Sequence, residues 1–254
     1  MRLTNTGTED HSAQLLRHYE GVRLPDVTNA LRHGGMAELA SLVSFAGGPG
    51  HVGPGMEQAV IQELAAGTYA VIFTAVSDEG FPHAVASLPH RLTVAEGERP
   101  IDAPEATGEV RLVDAPEATG EVRLVDDSFE GLPAEVSVGR QVLKVSNDGS
   151  KPHELGFRRL DDGVTADMMI DTILHDGKGV SELGTGAMAL QMLADLPMAS
   201  AGGIQVMEPG MSARVVVDLE PGSYVAKSRV PSLANGGTPQ AMPGMIQGFT
   251  VRPY

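Results

Sequence analysis

The chain has 254 residues, with 33 Asp and Glu against 18 Lys and Arg, for a formal net charge of −15. That balance argues against a nucleic-acid partner, which would need clustered Lys and Arg to neutralise phosphates, and favours a soluble, self-repelling surface. The absence of any cysteine removes disulfides, thiolate metal sites and thiol nucleophiles, while 31 glycines and 17 prolines point to a turn-rich β protein.

In chain order, the first predicted element is a helix over Leu24–Leu31, with Pro25 in its opening turn, a stripe of Leu24, Val27 and Leu31, and a stop at Gly34-Gly35. A second short helix is expected within Met36–Ala46. Strands follow at Glu57–Leu64 and Thr68–Val76, broken at Ala66-Gly67, with a closing strand at Arg91–Val94. Glu121–Asp127 and Glu135–Leu143 open the second half. A helix over Ala166–Leu174 is capped by Thr165 and stopped by Gly177, and a further short helix is expected at Ala187–Leu196. Ser212–Leu219 alternates strictly, with Ala213, Val215, Val217 and Leu219 on one face. Pro221-Gly222 turns the chain into Ser223–Val230, and Gly248–Val251 closes it.

These elements occur twice. Arg2–Gly35 matches Lys144–Gly177 at an offset of 142, aligning Asn5, Gly7, His11 and Arg17 with Asn147, Gly149, His153 and Arg159. After a longer loop the offset becomes 155, and Pro54-Gly55-Met56 and Tyr69 meet Pro209-Gly210-Met211 and Tyr224. A further small loop difference aligns Gly80, Pro82 and Thr93 with Gly237, Pro239 and Thr250. Solenoid repeats are roughly 20–50 residues long, so the sequence predicts two tandem domains, residues 1–97 and 121–254, joined by an acidic linker over 98–120. A second repeat, Asp102–Val113 and Asp114–Val125, is identical in its two copies. The first half has no counterpart of Glu121–Asp127 or Glu135–Leu143, so this reading expects the chain to begin part-way through a domain. The first copy of the identical repeat is either spare linker or a covering strand, Glu109–Val113 folding back over the sheet edge thereby left open, since an unpaired edge invites aggregation. The apolar helix faces of Pro25–Arg32 and Ala166–Leu174 are expected to pack the two domains together or, if exposed, to meet a partner protein. No run approaches the ~18 apolar residues of a membrane span, and Met1–Asn5 has no apolar stretch like that of a secretory signal.

The order of Asn-x-Gly-x-x-x-His, helix, Gly-Gly, Pro-Gly-Met, strand, Pro-Gly-x-Tyr, strand and Gly-x-Pro before a closing strand resembles the cupredoxin-like domain, above all the secreted blue-copper-like proteins of bacteria. The resemblance covers Glu121–Tyr254 and Arg2 to about Val94. It implies two Greek-key β-sandwiches, each with a short helical insertion, and an extracytoplasmic location. A blue-copper site holds its ion by two imidazoles, a thiolate and a weak axial thioether. By position, the resemblance places His153, Ser228, Gln240 and Met245 there in the second domain, and His11, Phe73, His83 and Leu88 in the first. The retained metal-ligating types are thus His11, His83, His153 and Met245. Phe73, Leu88, Ser228 and Gln240 stand where the family has ligands.

Neither domain can therefore form a thiolate-centred copper site. One reading makes the remaining His and Met structural. The other gives His11 and His83, completed by water or by His90 or His51, weak affinity for copper or zinc, and lets His153 with Met245, alone or joined by Met242, hold Cu(I) loosely. The His-x-His clusters that oxidases of tandem cupredoxin domains place at domain interfaces do not occur. Nor do a Gly-x-Ser-x-Gly elbow, a His-Glu-x-x-His helix or a calcium loop, and the acids Asp126-Asp127 and Asp161-Asp162 sit at turn positions. The expected function is a non-catalytic binding or interaction protein without a cofactor, with an unidentified protein or small-molecule partner.

Overall fold

The computed structural model describes residues 1–75, 88–96, 117–180, 197–232, 238–241 and 244–253. The first half contains β1 (Arg2–Thr4), β2 (Gln14–His18), α1 (Leu24–Asn29), a π-helical turn (Ala30–Gly34), α2 (Gly35–Leu42), β3 (Val43–Phe45), β4 (Glu57–Gln62), β5 (Gly67–Ile72) and β6 (His90–Val94). The second half contains β7 (Gly120–Val125), β8 (Ser128–Glu130), β9 (Glu135–Ser137), β10 (Gly139–Asn147) and β11 (His153–Leu160). It continues with α3 (Ala166–Val180), β12 (Met198–Met207), β13 (Ser212–Leu219), β14 (Gly222–Lys227), β15 (Pro231–Ser232), β16 (Thr238–Pro239) and β17 (Ile246–Arg252). The fold is mainly β, as expected.

In the second half a sheet of order β12-β11-β14-β17-β9 faces β13-β10-β7-β8, with the parallel pairs β10·β7 and β17·β9 among antiparallel ones. The chain hairpins within a sheet at β7–β8 and β11–β12 and crosses to the other sheet at β8–β9, β9–β10, β10–β11, β12–β13 and β13–β14, which is Greek-key sandwich connectivity. Between the layers lie Val122, Leu124, Val145, Leu155, Phe157, Val215, Tyr224, Met245 and Phe249. Glu135–Leu143 is not one strand. Gly139, at φ 96°, breaks it, so that β9 joins one sheet and β10 the other; a side chain would disfavour that backbone angle.

Several local devices recur at matching positions in the two halves. Asn5 Nδ2 donates to the carbonyls of Glu9 and Val52, as Asn147 Nδ2 does to those of Lys151 and Met207. The Tyr69 hydroxyl donates to Ala65 O and the Tyr224 hydroxyl to Glu220 O, each four residues back.

The halves are joined through strands. β4 pairs with β13, fusing β1-β4 to β13-β10-β7-β8 in one six-stranded sheet. Val60 faces Val215 in that pairing, two residues related by the 155-residue sequence offset. A second crossing has the same reciprocity. Gly50 N–H donates to Gly203 O at 3.1 Å and Gln205 N–H to Gly48 O at 2.9 Å, while Gly47 N–H reaches Val206 O and Gly202 N–H reaches His51 O, both at 2.8 Å.

This corrects the expectation that the helix faces join the halves. Instead α1 and α2 cover their own sheet, packing Val27, Ala30 and Leu39 on Leu16, Ala70 and Ile72. Likewise α3 lays Met169 and Ile173 on Leu160 and Val225. Edge strands carry unpaired N–H and C=O groups that a helix face does not have, and the edges of β4 and β13 satisfy each other.

Other boundaries differ for local reasons. Helix α3 runs through Gly177 to Val180, since a helical glycine costs only about 1 kcal/mol. Thr165 does cap it, accepting the Met168 N–H at 3.2 Å. Gly34-Gly35 deflects the first helix instead of ending it: Gly35, at φ 72°, starts α2, which stops at Leu42 before β3. Strands β5 and β14 end at Ile72 and Lys227, four and three residues before their predicted ends. Among the described residues, β1 pairs with β4 alone and β6 with β5 alone. The Ala187–Leu196 helix and the Glu109–Val113 strand fall outside the described residues.

Candidate functional site

Strand β11 begins at His153, directly after the Asn147-Asp148-Gly149 turn, and β14 delivers Ser228 just beyond its last residue. The chain then returns through β16 to Gln240 and Met245. Backbone bonds tie these segments together. Ala241 N–H donates to Ser228 O at 2.9 Å, Ser228 N–H to Met245 O at 3.0 Å, and Met245 N–H to Gln240 O at 3.0 Å. The four positions carried over in the second half therefore lie in one neighbourhood, each at most 3% exposed.

Their side chains bond to one another. Gln240 Nε2 donates to Pro152 O at 3.0 Å, which leaves Oε1 pointing inward as the acceptor. That oxygen receives the Ser228 hydroxyl at 2.9 Å and His153 Nδ1 at 2.7 Å. On its far side His153 Nε2 meets Asp126 Oδ1 at 3.0 Å. Both ring nitrogens are thus engaged, Nδ1 by Gln240 Oε1 and Nε2 by Asp126 Oδ1. Asp126 also receives the Ser150 N–H and hydroxyl. The Ser150 hydroxyl bond, followed by the one from His153, holds its carboxyl down at about 2 against the opposing effect of burial. Met245 is enclosed in the hydrophobic core with Phe249 and Leu155.

This donor set does not fit the copper ion implied by the cupredoxin resemblance. The thiolate position carries a hydroxyl that hydrogen-bonds Gln240, the second imidazole is an amide, and both His153 nitrogens are taken up by Gln240 and Asp126. Sulfur at Met245 is the one soft donor left, and a thioether is a weak ligand. Among the described residues, no three His, Asp or Glu side chains gather as a metal site.

In the first half Phe73 takes the place of Ser228. Its ring meets His11 and His90 edge-on, each with centroids 6.3 Å away. Leu88 is not drawn inward: it is 67% exposed and lines a surface groove with Leu24, Pro25 and Thr28. His83 and Met242 fall outside the described residues.

A second polar assembly lies where the halves meet. Arg229 N–H and Nε donate to Glu154 Oε1 at 2.7 and 3.3 Å. At the matching place in the first half, Thr74 N–H donates to Ser12 Oγ at 3.1 Å. The Ser12 hydroxyl bonds Thr74 Oγ1 at 2.8 Å, and the Thr74 hydroxyl donates to Gln205 Oε1 at 2.7 Å, crossing between the halves. His51 Nε2 accepts from Arg229 Nη2. Burial, then the nearby Arg229, Arg158 and Lys227 charges, drive the His51 imidazole well below its ordinary range.

Two groups of residues carry no local sequence signal. Asp126 sits at a turn position, and its partner His153 lies 27 residues away with nothing nearby to mark the pairing. Glu154, Arg158, Lys227 and Arg229 sit on the strand face that alternation assigns to solvent. The first half covers that face, and no local signal reports the cover.

No family model matches the chain, and no curated protein matches it. Among solved structures, reduced auracyanin from the photosynthetic bacterium Roseiflexus castenholzii is 15% identical over 54% of this chain and all of its own, with a TM-score of 0.32. Auracyanin B is 19% identical over 56% of this chain and 94% of its own, with a TM-score of 0.34. A blue copper oxidase from Nitrosomonas europaea is 12% identical over 99% of this chain and 72% of its own, with a TM-score of 0.26. At these scores the likenesses carry no argument about chemistry, and the sandwich fold rests on the strand order above.

Proposed function

We propose that this chain is a non-catalytic binding or interaction protein: a tandem duplicate of cupredoxin-like sandwiches that has exchanged its type 1 copper site for a hydrogen-bonded plug. The observation that carries this reading is the engagement of both His153 nitrogens, by Gln240 and by Asp126, beside a hydroxyl at the thiolate position. Without cysteine, the covalent metal–sulfur bond on which such electron carriers depend cannot form. Support for the duplication comes from the repeated Asn and Tyr bonds and from the reciprocal pairing of residues 155 apart. An extracytoplasmic place follows from the resemblance alone. Among the described residues no helix is long and apolar enough to cross a membrane.

A second reading is weak Cu(II) or Zn(II) binding in the first half, by His11 with His90 or with His83. It draws on the two imidazoles flanking Phe73. Copper titration followed by absorbance, electron paramagnetic resonance and imidazole proton NMR separates the two. The plug predicts no intense blue band and unperturbed His153 resonances at micromolar metal. Shifts confined to His11 and His90 would favour the second reading. A stoichiometric blue centre would overturn both.

A further inference from the structure

In the second half, β7 closes a sheet edge and the core behind it. It runs parallel to β10, pairing Lys144 with Glu121, Val145 with Val122 and Asn147 with Leu124. Val122 and Leu124 turn inward and are fully buried in the core that also holds Val145, Phe249 and Val251. Beyond the ladder, Asp148 N–H and Gly149 N–H both donate to Leu124 O, at 2.9 and 3.0 Å. On the outer face Lys144 Nζ meets Glu121 Oε1 at 2.7 Å.

The internal two-fold carries this arrangement onto β1, whose Arg2, Leu3 and Asn5 stand where β10 has Lys144, Val145 and Asn147. One side of β1 repeats it: Asn5 N–H donates to Met56 O as Asn147 N–H does to Met211 O. The other side is unpaired among the described residues. Because Asn5 faces β4, alternation along the strand turns the N–H and C=O groups of Thr4 to that unpaired side. Among the described residues Thr6 N–H has no acceptor, although its counterpart Asp148 N–H has one. The core behind this edge is open too. Leu3, Leu92 and Val94 are only half-buried, where their counterparts Val145, Phe249 and Val251 are at most 3% exposed. Arg2 is exposed, and among the described residues it has no carboxylate like the one that meets Lys144.

We propose that the unpaired side of β1 accepts an extended segment of a separate polypeptide, added parallel to β1 and patterned as β7 is. An acid meets Arg2, an apolar residue follows it directly, and a second apolar residue comes two positions later, closing the core over Leu3, Leu92 and Val94. In strand addition the main-chain bonds supply affinity and the alternate side chains specificity. The exposed pair with Arg2 adds little energy and sets the register. The chain carries the β7 sequence a second time, at 108–113. Seated on β1 of the same molecule, that copy would end about 29 Å from Gly120, five strand spacings across the sheet and five residues along it. The intervening residues, 114–119, span at most about 25 Å, so the strand comes from another chain. The acceptor rests on the interaction reading above and gives it a partner class, while the exchanged copper site is tested separately, by copper.

The test is titration of the full chain with an end-capped, fluorescein-labelled peptide of the β7 sequence, Gly-Glu-Val-Arg-Leu-Val, followed by fluorescence anisotropy and amide NMR. Binding should be saturable at micromolar protein, with amide shifts centred on residues 2–6. The exchanged peptide Gly-Val-Glu-Leu-Arg-Val puts its apolar residues on the wrong face and should bind about tenfold more weakly or worse. Thr4→Pro removes an outward N–H while leaving the ladder to β4 intact, and should weaken binding to a similar extent. Arg2→Glu should weaken it about twofold to fivefold. An absence of saturable binding, equal binding of the exchanged peptide, or shifts remote from β1 would overturn the proposal. Binding that appears only once residues 102–113 are deleted would assign the edge to the chain's own copy and overturn the separate partner.

Discussion

Gln240 holds the plug together, and Gln240→Leu measures what it contributes. Its Oε1 is the shared acceptor of the Ser228 hydroxyl and His153 Nδ1, both buried. Leucine has similar bulk and no acceptor, so two buried donors lose their partner at about 1–3 kcal/mol each. The carbonyl of Pro152 is near enough to the surface to turn to water, and the added apolar surface returns about 1–2 kcal/mol. The expected net loss is about 3 kcal/mol, read as a lower urea midpoint with an unchanged slope. Ser228→Ala alone should cost about 1 kcal/mol, because the Gln240 oxygen keeps the His153 donor. Combined with Gln240→Leu it should reduce the loss to about 2 kcal/mol by deleting one orphaned hydroxyl. Far-UV circular dichroism is the suitable probe in a chain without tryptophan. If the two losses simply add, or if Gln240→Leu costs less than about 1 kcal/mol, water serves these donors and the plug is not a dry network.

The Asp126 carboxyl is depressed from 3.8 to about 2, so the stability it contributes is present above its unfolded value and is lost as pH falls through about 2. Asp126→Asn should cost about 1 kcal/mol at pH 7, the shift being discounted for a side chain 35% exposed, and the gap to wild type should close between about pH 4 and 2 in acid titrations of stability. At the crossing of the halves, a β-carbon on Gly50 would lie 2.7 Å from the carbonyl carbon of Gly203. Gly50→Ala should therefore cost about 1–3 kcal/mol and split the urea transition into two steps, whereas a single unshifted transition would mean the crossing yields freely. Ser228→Cys with Gln240→His would place a thiolate and a second imidazole beside His153 and Met245. The double variant should take up Cu(II) with an intense visible band, and Ser228→Cys alone should stay colourless while Gln240 occupies His153; a colourless double variant would refute the assignment of these positions.

Legibility followed from how local each cause was. Ser212–Leu219 alternates without interruption, and β13 occupies those eight residues. Gly139 sits inside an alternating stretch, and nothing in its neighbours distinguishes a change of sheets from a glycine within one strand. Helix α3 outran Gly177 because one helical glycine is a small penalty, not a stop. At the site, Ser228 and Gln240 were placed beside His153 through the ordered motifs around them. Asp126 was not, because its role depends on a fold that brings residues 126 and 153 together. The buried charges were the least legible of all. Polar residues at every second position specify a wet face, and only a neighbouring half of the molecule makes that face dry.

That cover explains a difference between the halves. At equivalent places, the first half joins Ser12 to Thr74 and the second joins Glu154 to Arg229, each through the same backbone N–H. In the first half the outer face carries Leu16 and Ile72 beneath its own helices, an apolar layer to which the second half adds Val206. There Ser12 and Thr74 bond each other, and the Thr74 hydroxyl passes on to Gln205 of the second half without bringing in a charge. In the second half, the outer face carries Arg158 and Lys227 where Leu16 and Ile72 would stand. Its layer is completed by His51, Thr74 and Asp10 from the other half, not by α3, which covers Leu160 and Val225 at the far end. The ion pair of Glu154 and Arg229 therefore belongs to an interface, and the interface needs both halves to keep it from water. A pair of sandwiches related by an internal two-fold has in this way become asymmetric where it is buried: one half closes on carbon, and the other closes on charge that its sister must cover.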